Sequence, residues 1–158
     1  MFALTSETIR ILCDSGWSES RNEDPSHLLA MVADFVPNDR IAAILSSFGG
    51  LTIIPLRDGT QVFASEKLEF VPDPLGCASD WGLERAALLD AEAIFPLASW
   101  GPSVVYIDSR DRVFCEFVEQ IDLVGETFEE GLETLLLARR PLRPWVSILP
   151  AREGLPRW

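Results

Sequence analysis

Three cysteines, one histidine and 25 acidic side chains are what this 158-residue chain offers for chemistry. His27 falls at the start of an expected helix, where a lone histidine reads as a surface or capping residue. No Ser/His/Asp or Cys/His set can be assembled around it without assuming a remote pairing. Cys13, Cys77 and Cys115 lie far apart and share no metal spacing, so with one histidine no structural zinc site and no other metal site is expected. An odd, sparse cysteine set reads as reduced thiols of a cytoplasmic protein. Neither a phosphate-cradling G-x-x-x-x-G-K-[ST] loop nor a dinucleotide-type G-x-G-x-x-G occurs, and no cofactor is expected. The acidic pairs Glu66/Glu69, Asp108/Asp111 and Glu129/Glu130 leave a two-carboxylate hydrolase open. Such pairs are abundant among 25 acids, and Glu129 and Glu130 suit the dipole of a first helical turn. The chain reads as a non-enzyme.

Charge is more telling than any motif. The net charge is −12, and residues 1–138 carry 8 basic against 24 acidic side chains, a net of −16. Residues 139–158 carry five arginines and one acid, a net of +4. Nucleic-acid binding comes largely from Lys and Arg neutralising phosphate, so a nucleic-acid partner is excluded. A basic protein surface would instead be attracted and its encounter speeded. No stretch approaches the roughly 20 apolar residues of a membrane span, and the N-terminus shows no basic, long-apolar leader. No membrane partner is expected. With 47% apolar residues, the chain is long enough for a substantial core.

The elements that must carry these residues follow from periodicity and caps. Thr5 to Ser15 reads as a short amphipathic helix, capped by Thr5 or Ser6 and stopped by Gly16. A polar loop follows. A second helix is expected from Ser26 to Phe35, and a third after Asn38 or Asp39, with Ile41, Ile44, Leu45 and Phe48 inward. Gly49 is expected to supply the left-handed residue at its end. The period then changes: Leu51–Leu56 and Thr60–Ala64 around Asp58-Gly59 read as a β-hairpin. Leu68–Val71 reads as a third strand. Asp80 or Trp81 opens a helix to about Glu92, with Leu83, Ala86, Ala87, Leu88 and Leu89 on its packed side. Ser103–Ile107 and Val113–Val118 read as a second hairpin. Thr127 with Glu130 forms a capping box for a last helix, with Leu132, Leu135 and Leu136 inward. The fold class is α+β, one domain with helices packed on an antiparallel sheet.

Residues 139–158 hold four prolines, Trp145 and Trp158, and read as an extended tail beyond a domain spanning 1–138. The tail is expected to dock on the acidic body through Trp145 and Ile148, because two exposed tryptophans are costly in water. A partner-binding arm is the alternative.

Several short motifs occur in a familiar order: Gly16–Arg21, Leu45–Leu51, Phe70–Leu75, Ile94–Leu97, Tyr106–Asp108 with Arg112–Phe114, and Thr127–Leu132. In this order they resemble the SUKH superfamily, related to the Smi1/Knr4 proteins, and most closely its SUKH-3 branch. The resemblance covers about residues 5–138. One departure is the turn Asp108–Arg112, where the family more often has glycine before the arginine; Asp111 tolerates left-handed geometry better than most residues. The resemblance implies a cytoplasmic bacterial immunity protein, encoded beside a polymorphic toxin that it binds and neutralises. It leaves the toxin unnamed, a nuclease and a deaminase being among the kinds the family meets. The other reading is a general protein-interaction or scaffold module of the Smi1/Knr4 type, with several partners and no dedicated toxin.

Interfaces draw energy from a few aromatic anchors while surrounding charges set rate and register. Glu66, Glu69, Asp73, Asp80, Trp81 and Glu84 offer that mixture, with Trp100 as a second anchor. These are the expected contacts to a basic toxin domain.

Overall fold

The computed structural model describes residues 2–72 and 79–148. Its helices are α1 (Ser6–Asp14), α2 (Ser26–Met31), α3 (Asp39–Phe48), α4 (Ser79–Leu88) and α5 (Phe128–Leu137). Its strands are β1 (Thr52–Ile53), β2 (Leu68–Glu69), β3 (Ile94–Trp100), β4 (Ser103–Asp108), β5 (Val113–Phe117), β6 (Gln120–Gly125) and β7 (Arg143–Ser147). Every strand pairs antiparallel with the next in the chain, so the sheet order is the sequence order. The arrangement is single-domain α+β.

Alternation along β4 and β5 divides the core in two, because successive strand residues point to opposite faces. Val105, Ile107, Val113 and Cys115 face the larger cluster, with Leu12 of α1, Ile44, Leu45 and Phe48 of α3 and Leu132, Leu135 and Leu136 of α5. Tyr106 and Phe114 face the other way, into a smaller cluster with Ile121, Leu123 and Ala86 and Leu89 of α4. The sheet is therefore covered on both sides. Phe48 sits at the centre of the larger cluster, its ring 5.0 Å from Phe2, 5.3 Å from Phe128, 5.4 Å from Phe70 and stacked at 5.8 Å on Trp17.

Local chemistry sets the helix ends. Thr5 Oγ1 accepts from Thr8 N, Asn38 Oδ1 from Ile41 N at 2.9 Å, and Thr127 Oγ1 from Glu130 N at 3.2 Å. The Glu130 carboxylate closes its half of the box one residue early, on Glu126 N at 2.9 Å. The α3 C-terminus is capped from a distance: Arg21 donates to the carbonyls of Ser47 at 3.1 Å and Gly49 at 3.0 Å, and Trp17 Nε1 donates to Ser47 Oγ at 3.0 Å. That is the role of the Gly16–Arg21 motif. The left-handed residue is Gly50, with φ +77°, and not Gly49. Gly49 is extended, and a Cβ there would run into the Leu45 carbonyl and Leu28.

Other expectations need correcting. The Asp58-Gly59 turn forms, with Asp58 Oδ1 accepting from Thr60 N at 2.9 Å, but its arms do not pair with each other. Leu56 N donates instead to Leu136 O and Val62 N to Ala138 O, so the arms satisfy carbonyls that the end of α5 leaves open. Thr52–Ile53 pairs with Leu68–Glu69. Helix α2 stops at Met31, with no side-chain cap at Pro25. On α4 the packed side is Gly82, Ala86 and the following Leu89, while Leu83 is 70% and Leu88 43% exposed. Strands β3 and β6 are additional to those expected. Residues 143–147 form β7 on the free side of β6, where Val146 and Ile148 reach the smaller cluster and Trp145 remains 42% exposed. In the same segment Arg139 clamps Glu7 at 2.5 and 2.7 Å, Arg140 meets Glu130 at 2.6 Å and Arg143 meets Glu126 at 2.9 Å.

Candidate functional site

Most of the acidic pairs that could have formed a two-carboxylate centre are held in structural contacts, exposed Glu66 being the exception. Asp108 is buried, receives Arg112 Nε at 2.7 Å, and accepts from the backbone of Arg110 and Arg112 at 2.9 Å. Asp111 takes the left-handed conformation, φ +68°, and with Glu129 holds Arg40. Glu69 meets Lys67 at 3.1 Å. His27 is exposed at the start of α2. Among the described residues no group of three His, Cys, Asp or Glu is placed to hold a metal. No helix among them is long and apolar enough to cross a membrane.

Three of the expected contact residues, Asp80, Trp81 and Glu84, lie on α4. Its inner side reaches the sheet through Trp81, Arg85 and Leu89. Trp81 is half-buried, edge-on to Tyr106 at 5.4 Å and to Phe35 at 6.4 Å, with the Arg85 guanidinium 5.6 Å from its ring. Arg85 makes a two-pronged pair with Glu116 of β5, at 2.9 and 2.8 Å, with little of either side chain exposed. The Tyr106 hydroxyl lies beneath, buried and without a hydrogen-bond partner among the described residues. Burial, with the neighbouring Glu116 charge behind it, pushes the phenol far above its ordinary range, so it stays protonated. Arg85 is thereby committed to the sheet, and its charge is used inside the fold.

The outer side of α4 presents Asp80, Leu83, Glu84, Ala87 and Leu88 to solvent. Beside it, between α4, the 34–36 connection and the start of β3, lies a hollow of about 320 Å³. Phe35, Val36, Gly82, Leu83, Ala86 and Ile94 line it, with Asp34 and Glu92. Val36 is 88% exposed.

The expected contact residues distribute unevenly over this surface. Asp80, Trp81 and Glu84 stand together on α4. Glu69 on β2 lies opposite Ser99 and shares its face of the sheet, while exposed Glu66 rests against Gly101 at the β3–β4 turn. Trp100 is buried at the end of β3, its indole donating to Ser65 Oγ at 3.3 Å and its ring edge-on to Phe63 at 5.8 Å. It serves the core and has no face to offer a partner. Asp73 lies outside the described residues. Val36, Leu83, Asp34 and Glu92, which line the hollow, are not among the expected contacts. Leu83 looked like a core residue by helical period, and Val36 beside Pro37 carried no signal.

A model of the SUKH-3 immunity protein family matches residues 4–138. The chain belongs to that family. The matched span takes in every described element except β7, including the Trp17–Arg21 cap, the Gly49-Gly50 junction and the Asp108–Arg112 turn, all of which are structural here. No curated protein and no solved structure gives a significant match to this SUKH-3 chain.

Proposed function

We propose that this chain is a non-enzymatic inhibitor that binds the toxic domain of a polymorphic toxin in the cytoplasm and neutralises it. The observation that carries this reading is membership of an immunity-protein family along residues 4–138. The contact surface is the acidic side built by α4 and β2, with Asp80, Trp81, Glu84, Glu66 and Glu69 in it and Asp73 in the chain between them. The charge pattern supports that choice. Arg40, Arg85, Arg112, Arg139, Arg140 and Arg143 are all paired internally; of the contact carboxylates, Asp80 and Glu66 have no ion-pair partner among the described residues, while Glu69 meets Lys67 and Glu84 meets Arg85. A toxin acting on nucleic acid, a nuclease or a deaminase, needs a basic cleft, and an acidic protein surface can occupy one.

The test is co-expression with the toxic domain encoded beside this chain. Survival of the host and a complex that persists through gel filtration are expected. Equal killing with and without the chain, and no complex, would refute the reading. Several moderate partners with no linked toxin would support the scaffold alternative instead.

A further inference from the structure

The geometry points to the hollow beside α4 as the docking point for an apolar side chain flanked by lysine or arginine on a basic polypeptide. The inference rests on the toxin-binding reading and names the part of the surface that anchors the partner. Two observations meet there. First, the hollow is lined with apolar groups yet stays open. Gly82 lets α4 close on Phe35, since a Cβ at 82 would come within 2.6 Å of the ring, while Leu83 and Val36 stand exposed at its mouth. Second, its charged lining is of one sign. Asp34 and Glu92 line it, Asp80 and Glu84 extend the acidic edge along α4, and no lysine or arginine among the described residues lines it.

A volume of about 320 Å³ is at the small end of ligand pockets and suits one or two side chains. An aliphatic or aromatic anchor would cover Leu83 and Phe35. Flanking Lys or Arg stems would lie over Val36, with their heads reaching Asp34 and Glu92, in the way long cationic side chains cover apolar surface. An acidic partner would bring like charges together at the rim, so the same surface discriminates against it.

Two arms test this on the full chain. In the first, methyl-labelled protein is titrated with an amphipathic Leu/Lys peptide and with its Leu/Glu counterpart. Saturable shifts at the Val36, Leu83 and Ile94 methyls with the Leu/Lys peptide only are expected, those at Val36 and Ile94 being lost in Leu83→Arg. Shifts that miss these three methyls, or that appear equally with the Leu/Glu peptide, overturn the inference. In the second, affinity for the toxic domain is measured for Leu83→Arg and Val36→Arg, with Phe117→Arg at the β5–β6 turn as control. All three positions are more than half exposed, so unchanged melting temperatures are expected. The two hollow variants should bind about 30-fold or more weakly, as loss of a central anchor does, and the control should bind normally. Equal affinity for all three while the parent binds tightly places the toxin elsewhere and overturns the hollow, leaving the immunity reading intact. A parent that binds no toxin, with the peptide arm positive, overturns the immunity reading and supports the hollow as a basic-peptide site.

Discussion

Replacing Phe48 with alanine tests the core that holds every other element in place. The ring has no exposed surface and touches four other aromatic rings, with centroids 5.0–5.8 Å away. Truncating a buried Phe to Ala costs about 3–5 kcal/mol, from lost transfer free energy and the cavity left behind. Each well-placed ring pair adds about 0.5–1.5 kcal/mol beyond area. Because Phe2, Trp17, Phe70 and Phe128 are anchored on separate segments, collapse into the cavity is difficult, so we expect the upper end, about 5 kcal/mol. For a domain of this size that corresponds to a fall in Tm of roughly 10–20 °C. Urea unfolding followed by circular dichroism gives the free energy directly, and thermal melting gives the shift. Phe48→Leu keeps most of the volume but loses the ring pairs, so it should cost less than Phe48→Ala, about 1–3 kcal/mol. Val62→Ala, at a position 58% exposed, should stay within about 0.5 kcal/mol. A loss below about 2 kcal/mol for Phe48→Ala, at an unchanged denaturant slope, would refute the claim that this ring is the hub of the larger core.

Three further outcomes follow from particular groups. Tyr106→Phe removes a buried hydroxyl that has no partner among the described residues, so it should raise stability by about 0.5–2 kcal/mol in urea melts; a loss would show that the hydroxyl is satisfied. Combined Glu69→Lys, Asp80→Lys and Glu84→Lys should slow association with the toxic domain about tenfold or more at low salt and flatten its salt dependence, while dissociation changes less; unchanged kinetics by surface plasmon resonance would move the interface off this side. Burial pushes the Cys115 thiol up from 9.0 to about 12, so native protein should alkylate at exposed Cys13 and spare Cys115 until urea is added. Above pH 9 the unfolded chain gives up a proton at Cys115 that the folded chain keeps. Its contribution to stability is therefore full below pH 9 and lost as pH rises towards 12, and urea midpoints that hold steady across that window would contradict it.

Features decided within a few residues were legible in the sequence. Thr5, Asn38 and Thr127 cap helices because their oxygens reach amides three residues on, and nothing distant competes. The turns at Asp58-Gly59 and Asp108–Asp111 have the same origin. Features decided by a remote partner were not. The arms around Gly59 look like a hairpin locally, but α5 offers unsatisfied carbonyls at Leu136 and Ala138, and those take the Leu56 and Val62 amides. Strand β3 is buried on both faces, so it lacks alternation, and Pro96 beside a register shift masks it further. The candidate site suffered most. Helical period alone put Leu83 and Leu88 inward, whereas the approach of Gly82 to Phe35 turns α4 so that both face solvent. Trp100 carries the same aromatic signal as Trp81, and only the sheet distinguishes them by burying the first.

The reversed charge of residues 139–158 bears on where a partner would sit. If that segment were the binding arm, its arginines would have to be available, yet Arg139, Arg140 and Arg143 each hold a carboxylate of the body. Exposed pairs of this kind are worth at most about 1 kcal/mol each, so the pairs alone would not prevent release. The backbone is the stronger restraint. Lifting β7 would leave β6 an open edge, strip Val146 and Ile148 from the smaller core and remove the Trp145 ring from Phe114 at 5.6 Å and from the Arg112 guanidinium at 5.2 Å. Arg112 is buried and also holds Asp108 and the Leu89 carbonyl, so the disturbance would reach the end of α4. The arginines at 139–143 are thus better understood as the internal complement of Glu7, Glu126 and Glu130. They neutralise the body where the last strand crosses it, and none of them reaches a carboxylate of α4.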